Sequence, residues 1–295
     1  MSTQASAPTI TEVPRRELRR SAGARRVRSN RIRVGLGAAL VAVILVPVLL
    51  ANLLPLADPL EQSLTDRLRP PGSAGHFLGT DQLGRDLLSR LLLGGQVSLR
   101  IGVLAVILSG LIGLLAGVAA GYFGGVVDTV ISRVLEAQLS LPLLMLLLLV
   151  VALFGPSIAV ITMVLAIAQW PEPARLARGL TLVEREKVYI DAARVLGGSR
   201  WSLIFRHIVP NIINQVLVVV LLLLAQAVLL ESALSYLGVG VQRPHPTWGR
   251  IIADGQAYIT TAWWLVTLPG VMISTLVVGV NLLGEGLRDM LSRSD

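Results

Sequence analysis

Residues 184–211 read EREKVYIDAARVLGGSRWSLIFRHIVPN and form the longest strongly charged segment between apolar runs of membrane-span length. Gly197 and Gly198 divide this segment into two short predicted helices. Ser199 can accept a hydrogen bond from the free backbone N–H groups that open the second helix, and Pro210 marks the start of the next apolar helix. The pattern predicts a helix–break–helix unit between two membrane-embedded helices.

The second short helix has a predicted apolar face, because its large side chains recur three and four residues apart. These side chains are Trp201, Ile204, Phe205 and Ile208. An amphipathic unit of this kind either lies in the lipid interface or fits a groove on another protein. Amphipathicity alone leaves both alternatives open.

The composition indicates a membrane protein without a catalytic centre of its own. Hydrophobic residues make up 54% of the 295 residues, and the mean hydropathy is +0.72. The sequence contains no cysteine, and its histidines at positions 76, 207 and 245 form no metal-binding pair. Lys187 is the only lysine and follows no glycine-rich loop, which excludes a Walker A nucleotide site in this chain. We therefore expect a non-catalytic protein that binds no cofactor itself.

The hydropathy pattern predicts an all-α polytopic membrane protein with six transmembrane helices. An Arg-rich tail at 1–33, expected to be mostly disordered, precedes a first transmembrane helix at 34–56 that no signal-peptide cleavage site follows. An extracytoplasmic loop at 57–97, a transmembrane core at 98–286 and a short tail at 287–295 complete the expected organisation. The predicted spans within the core are 98–122, 130–154, 158–170, 212–230 and 265–283.

Small residues and prolines in the core predict how its spans pack and bend. The second span has glycines about once per turn, and such a stripe lets two helix backbones approach closely. The glycines are Gly110, Gly113, Gly117 and Gly121. Pro142 is expected to kink the third span. In the first loop, Asp81 and Arg85 are expected to pair within a turn-rich segment.

The distribution of arginine and lysine sets the predicted orientation. Loops on the side of both termini and of 184–211 contain nineteen of these residues, whereas the opposite loops contain six. Nine of the nineteen lie from Arg15 to Arg33, directly before the first span. The positive-inside rule therefore places both termini and 184–211 in the cytoplasm. Anionic lipid, rather than nucleic acid, accounts for the net charge of +8.

Five separate segments resemble the dipeptide/oligopeptide permease family of ABC importers, and in particular its shorter, C-type membrane subunit. They are residues 77–86 (FLGTDQLGRD), 121–128 (GYFGGVVD), 191–210, 234–249 (LSYLGVGVQRPHPTWG) and 281–289 (NLLGEGLRD). Segment 191–210 is similar to the family signature E-A-A-x3-G-x9-I-x-L-P. The departures from the family patterns are Asp191 for Glu, His207 for Ile, Val209 for Leu, Arg243 for Pro and Glu285 for Asp.

The resemblance implies a type I ABC importer permease fold in the bacterial cytoplasmic membrane. A homologous second permease would pair with this chain, two ABC ATPase subunits or domains would bind ATP and Mg, and an extracytoplasmic binding protein would deliver di- or oligopeptides. Transport would proceed by alternating access, driven by ATP hydrolysis in the partners. Within the coupling segment 184–211, the residues expected to engage the ATPase or form the turn are Asp191, Ala192, Ala193, Gly197, Gly198 and Pro210.

Two other functions remain as alternatives to a peptide-importer permease. The first is an ion-coupled secondary transporter, although such proteins usually keep ionisable groups near the membrane midplane. Here Glu136, Glu172, Glu231 and Glu285 lie near predicted span ends. The second is an importer permease for a non-peptide substrate such as a nickel chelate or glutathione.

Gln226 and Asn281 are candidates for the translocation pathway because polar side chains avoid lipid. Hydrogen bonding between helices is the alternative role for each of them.

Overall fold

The computed structural model describes residues 15–291, with side chains described from residue 30 to residue 290. Its helices are α1 Arg15–Leu50, α2 Leu87–Phe123, α3 Gly125–Leu139, α4 Leu143–Phe154, α5 Ile158–Gln169, α6 Pro171–Glu184, α7 Val188–Val195, α8 Arg200–Leu203, α9 Val209–Tyr236, α10 Trp248–Gly255 and α11 Trp264–Leu291. A π-helical turn, Ile204–Ile208, joins α8 to α9. The described chain is thus all-helical apart from its loops and two isolated bridges in the first loop.

Four stretches of the described chain are long and apolar enough to cross a membrane. They are Asn30–Leu53, Leu87–Phe123, Arg200–Tyr236 and Trp264–Met290. The bent pair α3–α4 makes a fifth candidate if it is counted as one span. The spans predicted at 212–230 and 265–283 therefore lie inside longer helices. Residues 158–170 correspond to α5, which is too short to be a candidate by itself.

The first two transmembrane helices begin earlier than hydropathy predicts. α1 begins at Arg15 rather than at residue 34, so the expected disordered tail is helical from Arg15 onward, while residues 1–14 lie outside the described residues. α2 begins at Leu87, inside the loop predicted at 57–97, because the Asp86 carboxylate caps it by accepting a hydrogen bond from the Ser89 N–H at 2.9 Å. Polar residues in its first turns lower the local hydropathy, so hydropathy alone predicts a later start for this helix.

The third predicted span, 130–154, is broken rather than kinked. α3 and α4 meet at 91° across a break of three residues that ends in Pro142. Proline has no N–H to donate back along the helix, and its ring forces the preceding residue out of helical geometry. α4 therefore starts as a separate helix after Pro142.

The glycine stripe of α2 is confirmed as a packing surface. A Cβ at Gly117 would overlap the Ala174 carbonyl oxygen of α6, and one at Gly121 would lie 2.7 Å from Thr181 Cβ. Gly113 faces the start of α6 in the same way, whereas Gly110 faces Val220 of α9. Close backbone approach of this kind gives the dispersion contacts that hold helices together in lipid.

Charged groups fix the first loop to the N-terminal end of α2 and to α10. Arg85 and Asp81 form the expected pair at 2.7 Å, and both side chains are buried. Arg90 of α2 approaches the same carboxylate at 3.3 Å. Asp254 of α10 pairs with Arg243 at 3.1 Å and lies 3.9 Å from Arg85. This turn-rich segment is therefore a structural clamp between α2 and α10.

Glu231, predicted near a span end, lies five residues before the end of α9, and it is not exposed there. It is fully buried, and its carboxylate accepts hydrogen bonds from Ser98 Oγ of α2 at 2.9 Å and Ser235 Oγ at 2.7 Å. α9 continues beyond it to Tyr236. These contacts give Glu231 a structural role in joining α2 to α9.

Candidate functional site

The break in the coupling segment has the geometry of a helix C-terminal cap. Gly197 has φ +86°, a left-handed conformation that favours glycine. The Gly197 N–H donates to the Arg194 carbonyl at 3.1 Å, and the Gly198 N–H donates to the Ala193 carbonyl at 3.0 Å. This pair of hydrogen bonds is a Schellman motif that ends α7. The helix–Gly–helix prediction is therefore confirmed, and its local cause is the glycine pair.

The next helix is capped as expected, but its apolar face is divided in two. Ser199 Oγ accepts a hydrogen bond from the Ser202 N–H at 3.2 Å. Ile204 and Ile208 are buried, as predicted for the apolar face. Trp201 and Phe205 instead lie on the exposed surface, where their rings stack with centroids 5.9 Å apart. The predicted apolar face is therefore buried along its row of isoleucines and exposed along its row of aromatic side chains.

An isoleucine anchors the short helix α7 in the helix bundle. Ile190 is fully buried and belongs to one apolar cluster with Ile208 and Ile212 of the following helical stretch. Val118 of α2 and Ala177 of α6 complete the wall around it. Removing one such side chain from water contributes about 1.5–3 kcal/mol. α7 is therefore held against α2, α6 and α9 through a single deep contact.

Polar contacts support the same helix as well. The Tyr189 hydroxyl donates to the Glu184 carboxylate at the end of α6, which also pairs with Lys187 Nζ at 2.8 Å. Asn211 Nδ2 of α9 donates to the Tyr189 oxygen at 2.8 Å. Burial and the Glu184 carboxylate raise the pKa of Tyr189 to about 12. The phenol therefore remains a hydrogen-bond donor at physiological pH and ties α6, α7 and α9 together.

The outer face of the coupling segment is exposed and partly apolar. Ala192 is exposed and Ala193 is half-buried, while Val195 and Leu196 are 86% and 88% exposed. Asp191 pairs with Arg194 at 2.8 Å on the same surface. Pro210 lies in the first turn of α9, where the sequence predicts it. Exposed aliphatic side chains outside the apolar spans are the kind of surface that a protein groove covers.

Charged contacts join α6 to the neighbouring helices close to this segment. Arg178 of α6 forms a bidentate pair with Asp128 of α3, with Nη2 to Oδ2 at 2.7 Å. Arg185 Nη1 donates to the Gly121 carbonyl of α2 at 2.7 Å. A bidentate arginine pair fixes orientation as well as distance. With the hydrogen bond from Tyr189 to Glu184, these contacts link α7 through α6 to α2 and α3.

The two predicted pathway residues lie on one cavity. Gln226 of α9 and Asn281 of α11 border an open cavity of about 260 Å³, together with Glu172 of α6. The fourth predicted span ends at residue 170, which places Glu172 at a span end. A proline on each side of Glu172 is the signal that could have identified a break inside a longer helical stretch. Among the described residues, no cluster of His, Cys, Asp and Glu could hold a metal ion.

Comparison with known proteins identifies the family. The profile of the binding-protein-dependent transport system inner membrane component matches residues 113–294. The dipeptide transport system permease protein DppC of Escherichia coli K12 is 41% identical over 260 residues, which cover 86% of this chain and 87% of that protein. The chain belongs to this family. It is a permease subunit of a binding-protein-dependent transport system and resides in the inner membrane.

Further relatives and a solved structure agree with this assignment. The di/tripeptide transport system permease protein DppC of Pseudomonas aeruginosa is 38% identical, with 79% of each chain covered. The structure of the MetNI methionine ABC transporter in an inward-facing conformation matches with a TM-score of 0.54 and 18% identity. That match covers 69% of this permease and 95% of the other chain. At this identity the structural likeness shows a common fold and carries no information on substrate.

Proposed function

We propose that this permease translocates di- or oligopeptides as one membrane subunit of an ATP-driven type I ABC importer. The coupling segment carries the proposal. Its glycine break, its anchors at Ile190 and Tyr189 and its exposed aliphatic surface form a rigid projection beside the ends of α2, α6 and α9. Asp191, Ala192 and Ala193 contribute to the ATPase-facing surface, and the ATPase partners bind ATP and Mg.

The proposed topology has six spans with both termini in the cytoplasm. Four are the candidate spans of the described chain, α3–α4 is a fifth that bends at Pro142, and α5–α6 is the sixth. Only Trp170 separates α5 from α6, and its N–H still bonds to the Ala166 carbonyl at 3.2 Å. The charge distribution supports this orientation, because the Arg-rich coupling segment then faces the cytoplasm.

The remaining parts of the proposal follow from the family. A homologous second permease completes the pathway, two ATPase subunits or domains dock on the coupling segments, and an extracytoplasmic binding protein supplies the substrate. The names of the relatives favour peptides over nickel chelates or glutathione. Family membership also disfavours ion-coupled secondary transport.

Co-purification from the native membrane tests the coupling surface. We expect mild-detergent isolation of the tagged permease to recover a second permease and ATPase subunits. Replacing Val195 and Leu196 with glutamate should abolish ATPase recovery and retain the second permease, because charges would enter an apolar contact. Leu64→Glu, which changes an exposed leucine in the first loop, is the matched control and should recover every partner. ATPase recovery that is unchanged by the double substitution would contradict the docking proposal.

Uptake measurements test the energy source. Proteoliposomes that contain the permease, its partners and internal ATP should accumulate a dipeptide when the binding protein is added. Dissipating the proton gradient should leave the initial rate unchanged, whereas omitting ATP should abolish uptake. The reverse pattern would support the secondary-transporter alternative.

A further inference from the structure

Three polar side chains without a partner among the described residues border the cavity between α6, α9 and α11. They are Glu172, Gln226 and Asn281. All three are exposed, and no hydrogen bond or ion pair joins any of them to another described side chain. The rest of the cavity wall is aliphatic and consists of Leu222, Leu223, Ala225, Leu229 and Val277. Among the described residues, no arginine or lysine borders the cavity, and Glu172 gives this lining a net negative charge.

The cavity lies near the middle of the membrane-spanning helices. Glu172 is close to the midpoint of the helical stretch from the start of α5 to the end of α6. Val277 and Leu222 are near the centres of the candidate spans Trp264–Met290 and Arg200–Tyr236. An unpaired carboxylate at this depth costs several kcal/mol when it faces lipid, and such groups usually face a water-filled path and bind something.

The fold directs Glu172 towards this cavity by burying its neighbours. Pro171, Pro173 and Ala174 are buried, and a Cβ at Gly113 of α2 would lie within 3 Å of both Pro173 and Ala174. Because these residues occupy the side of α6 that packs on α2, Glu172 lies on the opposite side. The proline–glutamate–proline sequence therefore presents one carboxylate on the face away from α2.

We propose that Glu172 is a cation-binding residue of the translocation pathway that receives the ammonium group of the transported substrate, assisted by the amides of Gln226 and Asn281. This inference rests on the proposed peptide-transport function. A peptide carries one free α-ammonium group at its N-terminus, which matches the single negative charge of the cavity. The two amides can donate to and accept from the peptide backbone, and the aliphatic wall fits side chains of varied shape.

A charge-selective labelling experiment tests the site independently of transport. Because the chain contains no cysteine, Leu229→Cys introduces a unique thiol on the cavity wall. The measurement is the ratio of labelling rates for a cationic and an anionic methanethiosulfonate reagent, with the permease embedded in nanodiscs with its partners. Glu172→Gln should lower this ratio roughly tenfold, since one nearby charge acts on the two reagents in opposite directions. The matched control Glu136→Gln, on an exposed acid of α3, should leave it unchanged. An unchanged ratio in Glu172→Gln would overturn the cation site.

Transport then tests the ligand. With the same wild-type binding protein throughout, Glu172→Gln should reduce the initial uptake of a neutral dipeptide at least tenfold, and Glu172→Asp should retain most of it. Both variants should still co-purify with the second permease and the ATPase subunits, which shows that the complex assembles. A loss confined to lysine-containing peptides would assign the site to a side-chain ammonium. Wild-type uptake rates in Glu172→Gln would overturn the inference. Absence of peptide uptake by the unsubstituted complex would instead overturn the proposed function. In that case the labelling ratio alone would test the cation site.

Discussion

Gly197→Ala separates the backbone requirement of the coupling segment from the packing of the permease. The left-handed conformation at φ +86° costs a residue with a Cβ about 1–2 kcal/mol. A Cβ at this position would meet no atom within 4 Å, so the whole cost is conformational. Relief of that strain would break the cap hydrogen bonds to Ala193 and Arg194 and change the angle between α7 and α8.

The expected effect is a loss of coupling with little loss of stability. A penalty of this size lowers the population of the native turn, relative to competing conformations, by about five- to thirtyfold. We expect the amount of peptide transported per ATP hydrolysed to fall several-fold in proteoliposomes. The unfolding temperature of the purified permease should fall by no more than about 4 °C, because Gly197 is exposed and packs on nothing.

Two further substitutions make this prediction refutable. Gly197→Asn should recover part of the coupling, because asparagine tolerates the left-handed conformation better than alanine. Gly179→Ala is the matched control: Gly179 is also exposed with open space around it, but it lies in regular helix and should gain up to about 1 kcal/mol. Normal coupling in Gly197→Ala, or equal defects in the alanine and asparagine variants, would refute the conformational argument.

Three other substitutions have effects that the contacts define. Asp81→Asn removes the negative charge that buried Arg85 and Arg90 share, and it should lower the free energy of unfolding by about 3–5 kcal/mol. The unfolding temperature should fall accordingly. An unchanged unfolding temperature would show that the clamp is dispensable. Tyr189→Phe removes the hydroxyl that joins α6 to α9. It should speed amide hydrogen exchange in α7 without affecting α11. Equal exchange in α7 of the variant and of the unsubstituted protein would exclude a supporting role for the hydroxyl. Gly117→Leu should separate α2 from α6 and prevent accumulation of folded permease, which size-exclusion chromatography would reveal; a monodisperse variant would contradict the close packing.

The features that the sequence predicts correctly are those encoded by neighbouring residues. The break at Gly197 and the cap at Ser199 depend on local backbone chemistry, and both occur as expected. The α2 packing stripe depends only on the helical period of its glycines. The ATPase-facing role of Ala192 and Ala193 stays a prediction, because it depends on a partner surface.

The features that the sequence misses depend on distant partners. Hydropathy places the start of α2 too late because Arg90 reads as a solvent-exposed charge, although Asp81 neutralises it in the fold. Trp201 and Ile208 are both apolar at helical spacing in the sequence, but only Ile208 joins the buried cluster with Val118 of α2 in the fold. The sequence does not indicate the supporting role of Tyr189, because Glu184 and Asn211 contact it only once α6 and α9 have packed together.

The irregular helix around Glu172 illustrates how such long-range contacts shape the proposed cation site. Pro171 cannot donate to the Ile167 carbonyl, and an unpaired carbonyl inside a membrane is costly. Gln138, from the end of α3, donates to that oxygen at 2.6 Å and accepts from Trp170 Nε1 at 2.8 Å. The break that follows α3 lets this side chain reach the α5–α6 junction. The break after α3 thus supplies a hydrogen-bond partner for the backbone at the α5–α6 junction, and this contact stabilises the interruption that exposes the Glu172 carboxylate.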